Sequence, residues 1–179
     1  SLDEHRVPNL SNLYAAFETI KKYLKKDQLI ILQSSTYPGT TEEQILPILQ
    51  QSQYKVGEEI FLAHVPEVAD IGNKDFNFTK VPRIVSGITP KCAELASKLY
   101  QHIGCETFIC SSTRVAESAK LLQNSYRLVN ISFINEMADL CEKTGADIKQ
   151  LANGVGLDSR IGNKFLNVGP GFGGSCFPK

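Results

Sequence analysis

Residues 111–147 read SSTRVAESAKLLQNSYRLVNISFINEMADLCEKTGAD, and the rhythm of the chain changes there. Val115, Ala119, Leu122, Tyr126, Val129, Phe133, Met137 and Leu140 follow one another at steps of 4, 3, 4, 3, 4, 4 and 3. That spacing keeps all of them on one face of a helix. Ser111, Ser112 or Thr113 can cap its start, and Gly145 sits just past Thr144 as a stop. The spacing predicts one helix over residues 112–144, on the order of 50 Å long at 1.5 Å per residue. A helix of that length leaves a sheet layer behind, and either links two lobes or packs against a second subunit.

Upstream, the rhythm is that of alternating short strands and helices. Leu13, Phe17, Ile20 and Leu24 recur at helical steps, with Ser11 as the N-cap. Apolar runs at Leu29–Leu32 and Ile60–Val65 read as buried strands, followed by Arg83–Ser86 and Glu106–Cys110. Pro38-Gly39 is a turn, and Thr40-Thr41-Glu42-Glu43 reads as a capping box for the next helix. Thr89, Pro90 and Gly104 bracket a third helix. The pattern implies an α/β layer with a largely parallel sheet. Such sheets take ligands at the carboxyl ends of their strands, which places Thr36 and Glu67 on the functional rim. Downstream of the long helix a short helical stretch is expected around Ile148–Asn153.

Nineteen basic residues balance nineteen acidic ones, so the chain carries no electrostatic footprint for nucleic acid or an anionic membrane. Lys21, Lys22, Lys25 and Lys26 read as a solvated helix face. No apolar run is long enough to span a bilayer. Five cysteines, an odd number with no CxxC pair, argue for free thiols in a reducing compartment, and a cytoplasmic location is expected. No His, Cys or carboxylate spacing calls for a metal.

The last residues, Phe165–Lys179, read FLNVGPGFGGSCFPK. Gly169, Gly171, Gly173, Gly174 and Pro170 lead up to Cys176, so the loop exposes backbone N–H groups and presents one thiol. Lys120 and Asn124 stand four apart on one helix face, suited either to holding a ligand or to a polar face bonded to solvent. Glu67 is a candidate general base or a turn-stabilising acid. Thr36 either holds a water or ligand hydroxyl or caps its strand. His64, inside an apolar run, reads as a buried, satisfied histidine.

GPGFGGSCFPK (169–179), together with residues 114–147, resembles the nucleotide-sugar dehydrogenases of the UDP-glucose/GDP-mannose dehydrogenase family. SSTYPGTTEE (34–43) and HVPEVADIGN (64–73) resemble that family's strand-tip motifs, so the likeness runs from about Leu2 to Lys179. It implies the C-terminal part of a Rossmann-like NAD-binding domain over residues 1–110. A central helical dimerisation domain with the cysteine loop would follow over 111–179. The implied activity is oxidation of a sugar C6 alcohol to a carboxylate, in two hydride transfers to NAD. Cys176 is the implied nucleophile, passing through a thiohemiacetal and a thioester. Lys120 and Asn124 would stabilise the oxyanion and touch substrate, Thr36 would position a water beside the cofactor, and Glu67 would assist hydrolysis. Lys179 would lie near the cofactor phosphates, and Phe165, Phe172 and Gly173 against the nucleotide-sugar. A homodimer through the long helix is implied as well.

The chain departs from the family pattern at Val68, where an arginine is usual, and at Ile71, where a proline is usual. It reads as an internal fragment, with the Gly-rich cofactor loop expected before Ser1, an aspartate after Lys179, and a third domain beyond. The 179-residue piece alone is expected to be inactive. LDEHRVPNL and STYPGTTEE resemble the UDP-N-acetylhexosamine branch (N-acetylglucosamine or N-acetylmannosamine), whereas GLDSRIGNKFL and GPGFGGSCFPK resemble the UDP-glucose branch, which is the expected substrate. Two other readings compete: a cysteine hydrolase, for which no histidine is well placed, and a non-catalytic homologue that only dimerises.

Overall fold

A computed structural model describes residues 8–68, 79 and 81–173. Its elements in chain order are α1 (Ser11–Lys22), β1 (Gln28–Leu32), a π-helical segment (Thr40–Ile45) running into α2 (Leu46–Gln50), β2 (Ile60–His64), β3 (Arg83–Gly87), α3 (Pro90–His102), β4 (Thr107–Ile109), α4 (Thr113–Thr144) and α5 (Ile148–Gly156). The chain divides into two compact units, Ser1–Leu121 and Leu122–Lys179, with the division inside α4. It is a Rossmann-like mixed sheet with flanking helices, followed along the chain by the all-α region of α4 and α5.

In the first unit the four strands lie in the order β1-β2-β3-β4. β1 pairs parallel to β2, and β3 parallel to β4, but β2 and β3 are antiparallel. The expectation of a largely parallel sheet thus misses one pairing. A parallel neighbour needs a crossover helix, and the polar sequence between β2 and β3 has no helical apolar repeat to supply one.

Alternation along the strands builds two cores. Ile30 and Leu32 of β1, with Ile60 and Leu62 of β2, face Phe17, Leu24, Ile45, Ile48 and Leu49 from the α1–α2 side. Ala63, Val65 and Val85 face the opposite way, onto Ala96, Tyr100 and Cys105, with Leu29 and Ile31 packed beside them. Full burial of a side chain such as Leu62 contributes about 2 kcal/mol over leaving it in water. α3 sits so close to β3 that a Cβ on Gly87 would lie 2.3 Å from the Ala93 nitrogen, so only glycine fits. Thr89 caps α3 by accepting the Cys92 N–H at 3.2 Å, with Pro90 at the first turn, as the sequence predicts.

Two helix starts differ from expectation. Ser11 is the first residue of α1 rather than its cap, and its N–H donates to Asn9 Oδ1 at 2.9 Å. Thr40-Thr41-Glu42-Glu43 forms no capping box; the segment is π-helical and its acidic side chains bond elsewhere.

In the second unit, Ile134 and Cys141 of α4 and Ala152 of α5 are buried. Gly145, at φ +72°, ends α4. Asp147 caps α5 by accepting the Lys149 and Gln150 N–H groups at 2.8 and 3.3 Å, and those bonds hold its carboxyl below its ordinary pKa. Leu122, Tyr126, Val129, Phe133 and Leu140, the stripe that announced the helix, are each more than half exposed.

Among the described residues no helix is long and apolar enough to cross a membrane. Cys92, Cys105, Cys110 and Cys141 are buried free thiols.

Candidate active site

Past β1 the chain runs through Gln33–Thr36 and turns at Pro38-Gly39. Gly39 has φ +97°, and a Cβ there would meet Arg114 Nη1 at 2.8 Å and the Glu43 carboxyl at 3.2 Å. A left-handed backbone this close to the Arg114–Glu43 pair favours glycine and strains any other residue. The turn delivers three donors to one carboxylate on α4. The Gly39 N–H, the Thr41 N–H and the Thr41 hydroxyl donate to Glu117 at 2.6, 2.9 and 2.6 Å. Glu117 is 1% exposed. A carboxylate buried to that extent is tolerated because donors converge on it. Its neighbours Ala116, Ser118 and Ala119 are small, which lets the helix approach the turn.

The supposed capping box is used in the same junction. Glu42 accepts from the Thr113 hydroxyl at 2.8 Å and from Arg114 Nε at 2.9 Å, and Glu43 accepts from Arg114 Nη2 at 2.5 Å. The two acids therefore fasten the start of α4 to the strand tip instead of capping their own helix. Lys120, half-buried, stands three residues beyond Glu117 and so on the face that carries the clamp.

Between β1 and the turn, the Thr36 hydroxyl is buried without a hydrogen-bond partner. A satisfied strand-end cap would have one, so the bland reading of Thr36 does not fit. An orphaned hydroxyl at the carboxyl end of a parallel strand pair is where a bound polar group would complete the bonding.

The β2 tip lies alongside. Its pairing with β1 continues past the strands, with the Val65 N–H on the Leu32 carbonyl at 3.0 Å and the Glu67 N–H on the Gln33 carbonyl at 3.1 Å. Glu67 Oε1 accepts the Val68 N–H at 2.8 Å and lies 3.4 Å from Arg83 Nη1. The Arg83 guanidinium sits 5.8 Å from the centre of the Tyr100 ring, and Gln33 Nε2 donates to the Tyr100 hydroxyl at 2.6 Å. Burial pushes the Tyr100 phenol above its ordinary pKa, opposed by Gln33 and Arg83 and reinforced by the Glu67 charge.

His64, expected to be buried and satisfied, is buried but not satisfied. Neither ring nitrogen has a hydrogen-bond partner, and burial lowers its pKa to about 4. The Leu32 backbone opposes that shift.

Asn124 belongs to the second unit, is 9% exposed, and accepts from Arg127 Nη2 at 2.5 Å. A solvated polar stripe is therefore the wrong description of this helix face. Asn130 and Asn135 donate to the carbonyls one turn back, Tyr126 and Ile131, both at 2.7 Å. Phe165, at φ +64°, sets its ring edge-on to Tyr126 with centroids 6.2 Å apart. Phe172 and Gly173 are exposed. Cys176 and Lys179 lie outside the described residues.

Thr36, Glu67 and the Lys120 turn of α4 thus belong to the first unit, and Asn124, Phe165, Phe172 and Gly173 to the second. Sequence reasoning missed Glu117 and Arg83. A glutamate set among small residues, one turn before a candidate lysine, was the available signal for the first. Among the described residues no group of three His, Cys, Asp or Glu side chains is placed to hold a metal.

Comparison with known proteins adds two family matches. Residues 2–104 match the NAD binding domain, and residues 114–179 the central domain, of the UDP-glucose/GDP-mannose dehydrogenase family. A UDP-glucose 6-dehydrogenase of Rickettsia prowazekii is 41% identical over 175 residues, covering 96% of this chain and 39% of that protein. A UDP-N-acetyl-D-glucosamine 6-dehydrogenase of Pseudomonas aeruginosa is 36% identical over 178 residues, covering 98% of this chain and 41% of the relative. The solved structure of a UDP-D-ManNAc dehydrogenase from Pyrococcus horikoshii superposes with a TM-score of 0.89 at 30% identity, covering 99% of this chain and 42% of that one. The chain therefore spans about two fifths of the length of these relatives.

Proposed function

The chain belongs to the UDP-glucose/GDP-mannose dehydrogenase family, and from that membership we propose that the protein carrying it oxidises the C6 alcohol of a nucleotide-sugar to a carboxylate. The cofactor is NAD, which when bound accepts the hydride of each oxidation. The residues present fit that group, because the Thr36 hydroxyl lies buried and unpartnered where the parallel strands end. This hydroxyl is the observation that carries the reading. Lys179 is assigned to the cofactor phosphates.

The chain's own residues then divide the work. Thr36 holds a water at the rim, and that water takes the proton of the C6 alcohol. The Cys176 thiolate adds to the C6 aldehyde, forming a C–S bond and an alkoxide. Lys120 and Asn124 stabilise that oxygen, since a positioned ammonium and amide suit a developing negative charge. Oxidation of the adduct leaves a thioester on Cys176. Glu67 takes a proton from water as the water's oxygen bonds to the acyl carbon. The C–S bond breaks, and the thiolate departs as the acid is released. Phe165, Phe172 and Gly173 line the sugar-nucleotide side.

UDP-glucose is the substrate we assign, supported by the thiol-loop sequence and by the Rickettsia relative. A UDP-N-acetylhexosamine is the second reading, favoured by the Pseudomonas relative and the Pyrococcus structure. We place the protein in the cytoplasm as a homodimer through residues 112–144, with the NAD-binding part over 1–110 and the central helical domain over 111–179.

The test uses the complete protein. NAD reduction should proceed with UDP-glucose at about two equivalents per sugar, and faster than with UDP-GlcNAc, UDP-ManNAc or GDP-mannose. Cys176→Ser should abolish acid production. Normal acid yield from that variant sinks the covalent route, and one equivalent of NAD per sugar sinks the double oxidation.

A further inference from the structure

Behind the Glu67 carboxylate lies a buried cation that the proposed chemistry leaves unused. β2 and β3 are antiparallel, with Ala63 opposite Gly87 and His64 opposite Ser86. The same register, carried to the rim, sets Glu67 opposite Arg83. Arg83 is 1% exposed, whereas 44% of the Glu67 side chain reaches solvent. The contact between them therefore joins a charge inside the protein to one at its surface. Glu67 Oε1 meets both Arg83 Nη1, at 3.4 Å, and the Val68 N–H, at 2.8 Å. Both contacts come from the protein side, so they fix how the carboxyl group stands on the rim.

Enclosing a guanidinium costs several kcal/mol unless its surroundings compensate. The groups seen to compensate it include the Glu67 charge and the Tyr100 ring beneath the guanidinium. A lone structural ion pair could stand anywhere in the fold. This one is attached to the carboxylate at the strand tip.

We propose that Arg83 is the positioning residue for Glu67: its buried guanidinium orients the carboxylate on the rim and keeps it ionised while it takes a proton from water. The proposal rests on the role given to Glu67 above. Titratable groups that interact with Glu67 include Arg83 from β3 and Tyr100 from α3, and the neutral Gln33 at the end of β1 is bonded to the Tyr100 hydroxyl. A neighbouring cation favours the charged carboxylate, so its removal raises the pH at which Glu67 ionises.

The experiment compares wild type, Arg83→Lys, Arg83→Gln and Glu67→Gln in the complete protein with UDP-glucose and NAD. Arg83→Gln should move the acidic limb of the kcat profile up by about one pH unit and lower kcat about tenfold or more, with KM for the sugar nearly unchanged. Arg83→Lys should return the acidic limb to within a few tenths of a unit of wild type, since it restores the charge. Should Arg83→Gln fail to fold, Arg83→Met carries the same test without burying an unpaired amide. An acidic limb and kcat that stay at wild-type values in the charge-removing variant, while Glu67→Gln is impaired, overturn the role of Arg83 alone. Wild-type turnover by Glu67→Gln overturns the role of Glu67 and this proposal with it.

Discussion

At the scale of single residues, His64 sets a pH dependence that can be worked through. The unfolded chain takes up a proton at the ordinary value of 6.5, but the folded chain does not until about pH 4, because burial disfavours the imidazolium. The unfolded state therefore binds more protons throughout that window. His64 takes nothing from stability above pH 6.5, and stability falls as the pH drops from 6.5 towards 4. At about 1.4 kcal/mol per unit the loss comes to roughly 3 kcal/mol. His64→Phe fills similar space without a titratable nitrogen and should flatten the stability curve over that window. Thermal midpoints at pH 7 and pH 4.5 check this, and an equal drop in wild type and variant would remove His64 from the account. The burial of His64 was legible in the sequence, because it sits inside an apolar run. Its lack of a hydrogen-bond partner was not, since that depends on where the neighbouring strands place their carbonyls.

Among elements, the junction of the β1 tip with the start of α4 shows where local sequence rules stop. Thr89-Pro90 capped α3 as read, because an N-cap is settled within four residues. Thr40–Glu43 has the same local signature, yet Glu42 and Glu43 reach Thr113 and Arg114 some seventy residues away. A local pattern cannot report a partner that distant, and the buried triple acceptor Glu117 was hidden for the same reason. The junction makes a firm prediction. In Glu117→Gln the amide NH2 faces either the Gly39 N–H or the Thr41 N–H, so at least one of those two bonds is lost within a buried space. The cost should be about 2–4 kcal/mol. Hydrogen exchange at the Gly39 and Thr41 amides should quicken in the variant, and the thermal midpoint should fall. If both amides keep their protection, the clamp is not what holds this turn.

Across the whole molecule, the helical repeat that announced α4 led to a correct element and left a face in need of a partner. Its period was read as that of an amphipathic helix, and Ile134 and Cys141 do turn inward on the other side. Yet Leu122, Tyr126, Val129, Phe133 and Leu140 stay in water. Periodicity shows that a face is apolar but is silent on what covers it. The steps of 4, 3, 4 and 7 between these residues trace one seam along the helix, the geometry that suits a second helix laid against it. Burying such side chains against a copy of the same chain contributes on the order of 1–2 kcal/mol each. Summed over two protomers, that is enough to oppose the several kcal/mol lost in orientational freedom. This seam supports the proposed homodimer, and its test is specific to it. Leu122→Glu combined with Phe133→Glu places four carboxylates in a symmetric interface, without touching Ile134, Cys141 or Ala152 inside the unit. Sedimentation velocity on the complete protein should give a dimer for the wild type and a monomer for the double variant, with the circular dichroism of the helices retained. A wild-type monomer, or a double variant that still sediments as the dimer, would assign the seam to some other cover.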